Sequence, residues 1–400
     1  MKSALIRGGA MAAVFASALV LAGCETPEEP APPPPPPPPP AMALSSNVVH
    51  AAASYRAYVR DAASIGAAWT DPESIQVALR RGAAFEPKSF SRGAVAYAAV
   101  LALQDPAFVQ GVRTYAADPA SRNQVIRQLM ADPAYAAQLP GAQSAAGVII
   151  ANLSADGAAI HRAGTAVKQS AYDVQRQKWS REHVSDREGR LATAKRLSTM
   201  PVMGSSEDSA MLMQAAMSGS GLGVSSASAS PPYTEAVVRG MAIAALAVLG
   251  AAGEDNAASI DSLLNENVGT YCLNLSKLNL YQCLAVSKPH YEDVFCLGQH
   301  VLMDAGQCVT KVSGYRAPAA MTPPAVAGVR ADRRRGFAAR RPDRAVAEVT
   351  PQAGREPLPP GPSPRRRSES VAARRGGRAG VEIRRAQLRN TGDACIKPRS

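Results

Sequence analysis

The chain lacks most of the features that announce a function. Its formal net charge is +12 over 400 residues, but residues 1 to 315 contribute none of that excess. Residues 316 to 400 hold 19 Arg and 1 Lys against 7 acids, which is +13, leaving 24 basic and 25 acidic groups before them. A nucleic-acid-binding surface needs basic groups displayed on a fold, so the body of the protein is not read as a nucleic-acid binder. Catalytic signatures are missing too: there is no G-x-S-x-G elbow, no H-E-x-x-H and no S-x-x-K. Gly219-x-Gly221-x-Gly223 has no strand before it and no glycine at the third fingerprint position, which removes a dinucleotide-binding reading. No apolar run reaches the ~20 residues of a membrane-spanning helix. Ala10 to Leu21 is too short, and Ala236 to Ala252 carries Arg239 and is dense in alanine and glycine; a tightly packed buried helix is expected there. Finally, Cys272, Cys283, Cys296 and Cys308 are separated by 10, 12 and 11 residues. They lack the close ligand pair of a zinc knuckle, so disulfides are expected and neither a metal nor another cofactor is.

What is present begins with location. Lys2 and Arg7 precede the apolar run, which closes on Leu21-Ala22-Gly23-Cys24. This arrangement resembles the signal peptide and lipobox of bacterial lipoproteins. The resemblance implies cleavage before Cys24, lipidation of Cys24 and anchorage in the cell envelope. Glu25, which is not Asp, implies sorting to the outer membrane, facing the periplasm. Nine consecutive prolines follow, Pro32 to Pro40, and favour an extended polyproline helix of roughly 28 Å, a stiff spacer that lifts a domain off a lipid surface. An even cluster of four cysteines fits an oxidising compartment. The expected partners are the bilayer, through acylated Cys24, and an envelope protein or cell-wall polymer.

The remaining chain reads as all-α, an irregular bundle of short helices. Its divisions are residues 1–23, signal peptide; 24–46, lipidated cysteine and spacer; 47–200, helical; 201–232, a Ser/Gly-rich loop or linker; 233–315, helical with a four-cysteine hairpin; and 316–400, a disordered tail. Asp-Pro pairs at Asp71-Pro72, Asp105-Pro106, Asp118-Pro119 and Asp132-Pro133 each supply an N-cap and a first-turn proline. Phe108, Val109, Val112 and Tyr115, then Val125, Ile126, Leu129 and Met130, recur at helical intervals and are expected in a core. From Ala158 to Leu197 the pattern suggests one long polar helix with Val167, Ala171, Val174 and Trp179 as its thin apolar side.

In the cysteine segment, two helices joined by a turn at Pro289 and His290 are expected, the second running from Tyr291 to a stop at Gly306. Cys272 and Cys283 are too far apart along one helix to bond, at roughly 16 Å. Cys272 and Cys308 each lie 18 residues from His290, while Cys283 and Cys296 lie 7 and 6 from it. An antiparallel hairpin therefore pairs Cys272 with Cys308 and Cys283 with Cys296. On a regular helix the second pair of cysteines would be about 120° apart, which calls for a break at Gly306. The spacing resembles the helical hairpins of twin-cysteine-motif proteins, with longer intervals.

Two functional readings follow. The first is a non-catalytic, membrane-anchored envelope interaction or structural module. The alternative is an envelope enzyme of hydrolase type, its site assembled from scattered residues of the cysteine segment: His290, His300, Glu292 and Asp293. Acid pairs such as Glu292-Asp293 and Glu254-Asp255 are otherwise expected as solvent-exposed caps. The tail, with 11 prolines and Phe337 as its single aromatic, cannot bury a core. Its abrupt turn to Arg, Pro, Ala and Gly is what a GC-rich gene yields in the wrong frame; the other reading is a basic tail for anionic envelope polymers.

Overall fold

The computed structural model describes residues 38, 40–224 and 228–315. The lipobox with Cys24, nearly all of the proline run, and residues 316–400 with Cys395 lie outside them. Among the described residues there are thirteen α-helices and no β-strand. The first nine are α1 (Ser46–Ala63), α2 (Pro72–Ala83), α3 (Pro87–Ala102), α4 (Pro106–Arg113), α5 (Pro119–Ala131), α6 (Ala142–Val174), α7 (Arg187–Leu197), α8 (Ser206–Ser218) and α9 (Glu235–Val248). The remaining four are α10 (Ala257–Leu263), α11 (Asn267–Val286), α12 (His290–Cys296) and α13 (Asp304–Ser313).

Helix starts follow from acid-proline chemistry. The carboxylates of Asp71, Asp105 and Asp118 accept from the amides of Ser74, Phe108 and Ser121 at 2.8, 2.7 and 2.8 Å, while the proline that follows has no amide to leave unpaired. Asp132 caps only a 3₁₀ segment, Pro133–Gln138. Glu86-Pro87 is a fifth start of the same kind, its carboxylate accepting from the amides of Lys88 and Ser89 at 3.0 and 2.5 Å.

The core is built on close backbone approach. α3 and α9 are buried along nearly their whole length, and a Cβ on Gly240 would stand 2.6 Å from the Cβ of Ala98. α9 is thus the buried helix expected from its composition. Of the few aromatics, Tyr55, Tyr58, Phe85, Phe90 and Tyr97 gather in one cluster, with centroid distances of 4.6 to 5.6 Å.

Two expectations about segmentation are corrected. The polar helix expected from Ala158 to Leu197 is instead α6, which starts at Ala142 and ends at Val174, followed by a 3₁₀ turn at Trp179–Arg181 and then α7. Gly157 and Gly164 lie on the buried side of α6, so a face that looked thin in hydrophobic residues is a packing face. The segment expected as a loop or linker contains α8, capped by Ser205 through a 2.9 Å bond from the Asp208 amide. Leu212 and Ala216 of α8 enter the same hydrophobic cluster as residues of 47–200 and 233–315.

The C-terminal hairpin pairs Cys272 with Cys308 and Cys283 with Cys296, each with Cα atoms 5.7 Å apart. Its second arm does not stop at Gly306. It runs unbroken from His290 to Ser313 through a π-helical segment, Leu297–Met303. Bonding from i to i+5 widens each turn, so a π residue rotates the chain through less than the roughly 100° of an α residue. That offsets the misphasing of Cys296 and Cys308 and sets both on the side of α11.

Candidate functional site

A cavity of about 610 Å³ lies between α2 and α7, with His290 in its wall. Both helix starts are already capped: Asp71 accepts from the Ser74 amide and Asp186 from the Gly189 amide, each at 2.8 Å. The bond from Ser74 holds the Asp71 carboxyl below its ordinary value. The strand-like stretch before α7 is tied to the hairpin turn, the Val184 amide donating to the Lys288 carbonyl at 2.9 Å and the His290 amide to the Glu182 carbonyl at 3.2 Å. These bonds bring α7 over the start of α12.

Beneath His290 lies an ion pair closed to solvent. The side chains of Arg190 and Asp293 are 3% and 0% exposed and meet at 2.5 Å. The same Asp293 oxygen accepts from the Ser287 hydroxyl at 2.9 Å, and the other accepts from the Gln76 amide at 2.9 Å. Arg190 also donates to the carbonyls of Leu284 and Ser287. Three protein donors thus occupy both oxygens of the carboxylate, which has about four acceptor sites in all. Asp293 is not the exposed cap expected of it; it is the counter-charge that lets an arginine sit at the root of the hairpin. Glu292 does act as a cap, accepting from the Lys288 amide at 2.7 Å, and Glu254 likewise accepts from the Ser46 amide at 2.6 Å.

Of the four residues considered for catalysis, only His290 and Asp293 come together. Burial pushes the His290 imidazole below its ordinary value, against the pull of Asp293 and Glu182, and its Nδ1 is buried without a hydrogen-bond partner. Glu292 lines a second cavity of about 400 Å³ with Tyr172, Tyr291, Phe295 and the Cys283–Cys296 bridge. His300 stands in the π segment, its Nδ1 3.0 Å from Asp304 Oδ2. The sulfur of Cys296, one helical turn before His300, is committed to a disulfide and is not available as a metal ligand. Among the described residues, no group of three His, Cys, Asp or Glu side chains is placed to hold a metal.

No protein-family model, curated protein or solved structure matches this chain. Sequence reasoning missed Arg190 and Lys277. Lys277 is 4% exposed, its ammonium 2.8 Å from the Ala83 carbonyl and 3.3 Å from the centroid of the Phe85 ring. Arg190 lies in a charged stretch and Lys277 among leucines, and each falls in step with the inward positions of its helix, Arg190 with Ala194 and Lys277 with Leu273 and Leu280. Cys24, the residue expected to be lipidated, lies outside the described residues. No single helix among them is long and apolar enough to cross a membrane.

Proposed function

We propose that this chain is a lipid-anchored lipoprotein of the bacterial envelope, facing the periplasm from the outer membrane, whose folded part is a non-catalytic interaction or structural module. The observation that carries the non-catalytic reading is the closed pairing of Arg190 with Asp293. Asp293, the acid beneath His290, has both oxygens occupied by protein donors. The acids lining the cavity are engaged as well, Asp71 and Asp186 as helix caps and Glu73 with Arg80, whereas a general base needs a free acceptor within reach of a substrate proton. Two disulfides in the hairpin fit the oxidising side of a membrane, and the lipobox and proline spacer supply the anchor and the stand-off. More than one acyl chain, at about 0.8 kcal/mol per buried methylene, holds a protein stably on a bilayer.

The test has two arms. Cys24→Ala should abolish labelling by a radioactive fatty acid and leave an unprocessed precursor; a labelled variant would overturn the anchor. Crosslinked pull-down of the wild-type protein from the envelope should recover a co-purifying component, and recovery of none counts against the interaction module. The second reading, an envelope hydrolase, is favoured by one feature only, His290 in the wall of the 610 Å³ cavity. It requires His290→Ala to abolish a hydrolytic activity of the purified protein.

A further inference from the structure

Helix α11 meets the rest of the protein through one side and leaves the other bare. Leu273, Ser276, Lys277, Leu280 and Leu284 are buried, whereas Val268, Tyr271, Leu275, Leu278, Gln282 and Ala285 are all exposed. Those six fall at alternating steps of three and four residues, the a and d positions of a heptad seam. The exposure is large: Tyr271 is 71% accessible, Leu278 50% and Val268 47%. Lys277 is the sole charged residue in the helix and it points inward, so the whole outer face of a 20-residue helix carries no charge. A solvated helix face normally carries charged residues. The bare apolar surface, on the order of 500 Å², is of the size that marks an interaction site.

We propose that this seam is a homodimer interface, in which α11 of two copies pack antiparallel across a two-fold axis. The heptad spacing specifies a helix as the occupant. The absence of charge selects a second copy, because a face without charge has nothing to offer an acidic or basic partner and brings no like charges together when it meets itself. In an antiparallel seam each a position faces a d position. This sets Leu275 against Leu278 of the partner subunit at the centre, Tyr271 against Gln282 of the partner subunit, and Val268 against Ala285 of the partner subunit at the ends. With the exposed flanks Asn267, Asn274 and Val286, the two copies bury about 1,200 Å², the lower end of a stable interface. Disulfides at Cys272 and Cys283 hold the helix in place beforehand, which lowers the ordering cost of association. The pairing does not depend on lipid anchoring.

The experiment uses the full chain in intact cells. A photo-reactive p-benzoylphenylalanine replacing Leu275 should give a covalent product of twice the monomer mass, and the same group replacing exposed Arg127 should not. With the photo-reactive group at Gln282, Tyr271→Asp, Leu275→Asp and Leu278→Asp together should lower the dimer yield by about tenfold or more, with both native disulfides still found by non-reducing peptide mapping. Capture of lipid, capture of a different protein, or no product at position 275 would each overturn the proposal, and the wild-type background at that position decides it even if the triple variant fails to fold.

Discussion

Asp293 sits where solvent cannot reach it, and three side chains replace the water. Its partner Arg190 is equally enclosed, so the pair is worth less than its short distance suggests, yet breaking it strands a buried charge. Asp293→Ala is expected to cost about 3 to 5 kcal/mol, read as a fall in the urea midpoint; an unchanged midpoint would mean that the arginine finds water. Lys277 shows the opposite economy, a buried amine with no carboxylate in contact. Burial pushes it well below its ordinary value, opposed only by the field of Glu86. In the unfolded chain a lysine titrates near 10.4. Between the folded and unfolded values the unfolded state binds more protons, so stability should rise with pH across that window. Lys277→Met should flatten this rise and add about 1 to 3 kcal/mol near neutrality, because Ala83 keeps the Ser198 hydroxyl as a donor at 3.2 Å. Equal urea-midpoint slopes with pH in variant and wild type would show that Lys277 is not the source.

The decisive pairing of elements is α6 against the arm from His290 to Ser313. The two run antiparallel, and glycines let their backbones touch: a Cβ on Gly157 would stand 2.7 Å from the Gly306 carbonyl oxygen, and one on Gly164 would stand 2.6 Å from the Met303 amide nitrogen. The π segment serves this contact as well as the disulfide, since it sets Gly298 and Gly306, eight residues apart, on the side facing α6. Backbone cannot yield as the end of a flexible side chain can. Gly164→Ala should therefore destabilise by about 1 to 3 kcal/mol, whereas Gly66→Ala, with nothing within 4 Å of the added carbon, should be neutral or stabilise by about 0.4 to 1 kcal/mol. Thermal unfolding of the two variants side by side checks the contrast, and equal losses would contradict the close crossing.

At the scale of the molecule, residues on either side of the 201–232 stretch share one hydrophobic cluster. α9 packs along α3, and α8 is tied to the region before it: the Gln104 side chain donates to the Ala215 carbonyl at 2.8 Å, and Arg60 pairs with Asp208 at 2.8 Å. Two regions joined by a linker would unfold separately, but one core unfolds in a single cooperative step. Both tryptophans, Trp69 and Trp179, precede residue 200, so fluorescence reports the first region while far-UV circular dichroism reports all helices. The two urea curves are expected to coincide. A dichroism transition left after the fluorescence has finished would restore the linker.

Helix class, the acid-proline starts, the burial of α9 and the nested cysteine pairs were legible in the chain because each rests on local chemistry or on chain distance: a cap and its proline are neighbours, and an antiparallel hairpin pairs residues by their separation from the turn. The chemistry around His290 was not legible. Arg190 and Asp293 stand 103 residues apart, and each alone reads as a surface charge; only the fold makes one the condition for burying the other. Gly306 was expected to stop a helix, and only the facing helix makes it, with glycines 157, 164 and 298, a point of close contact. The π segment has no signature in its own sequence. It exists because two disulfide partners and a crossing helix demand the same face, a requirement that arises when the elements are packed together.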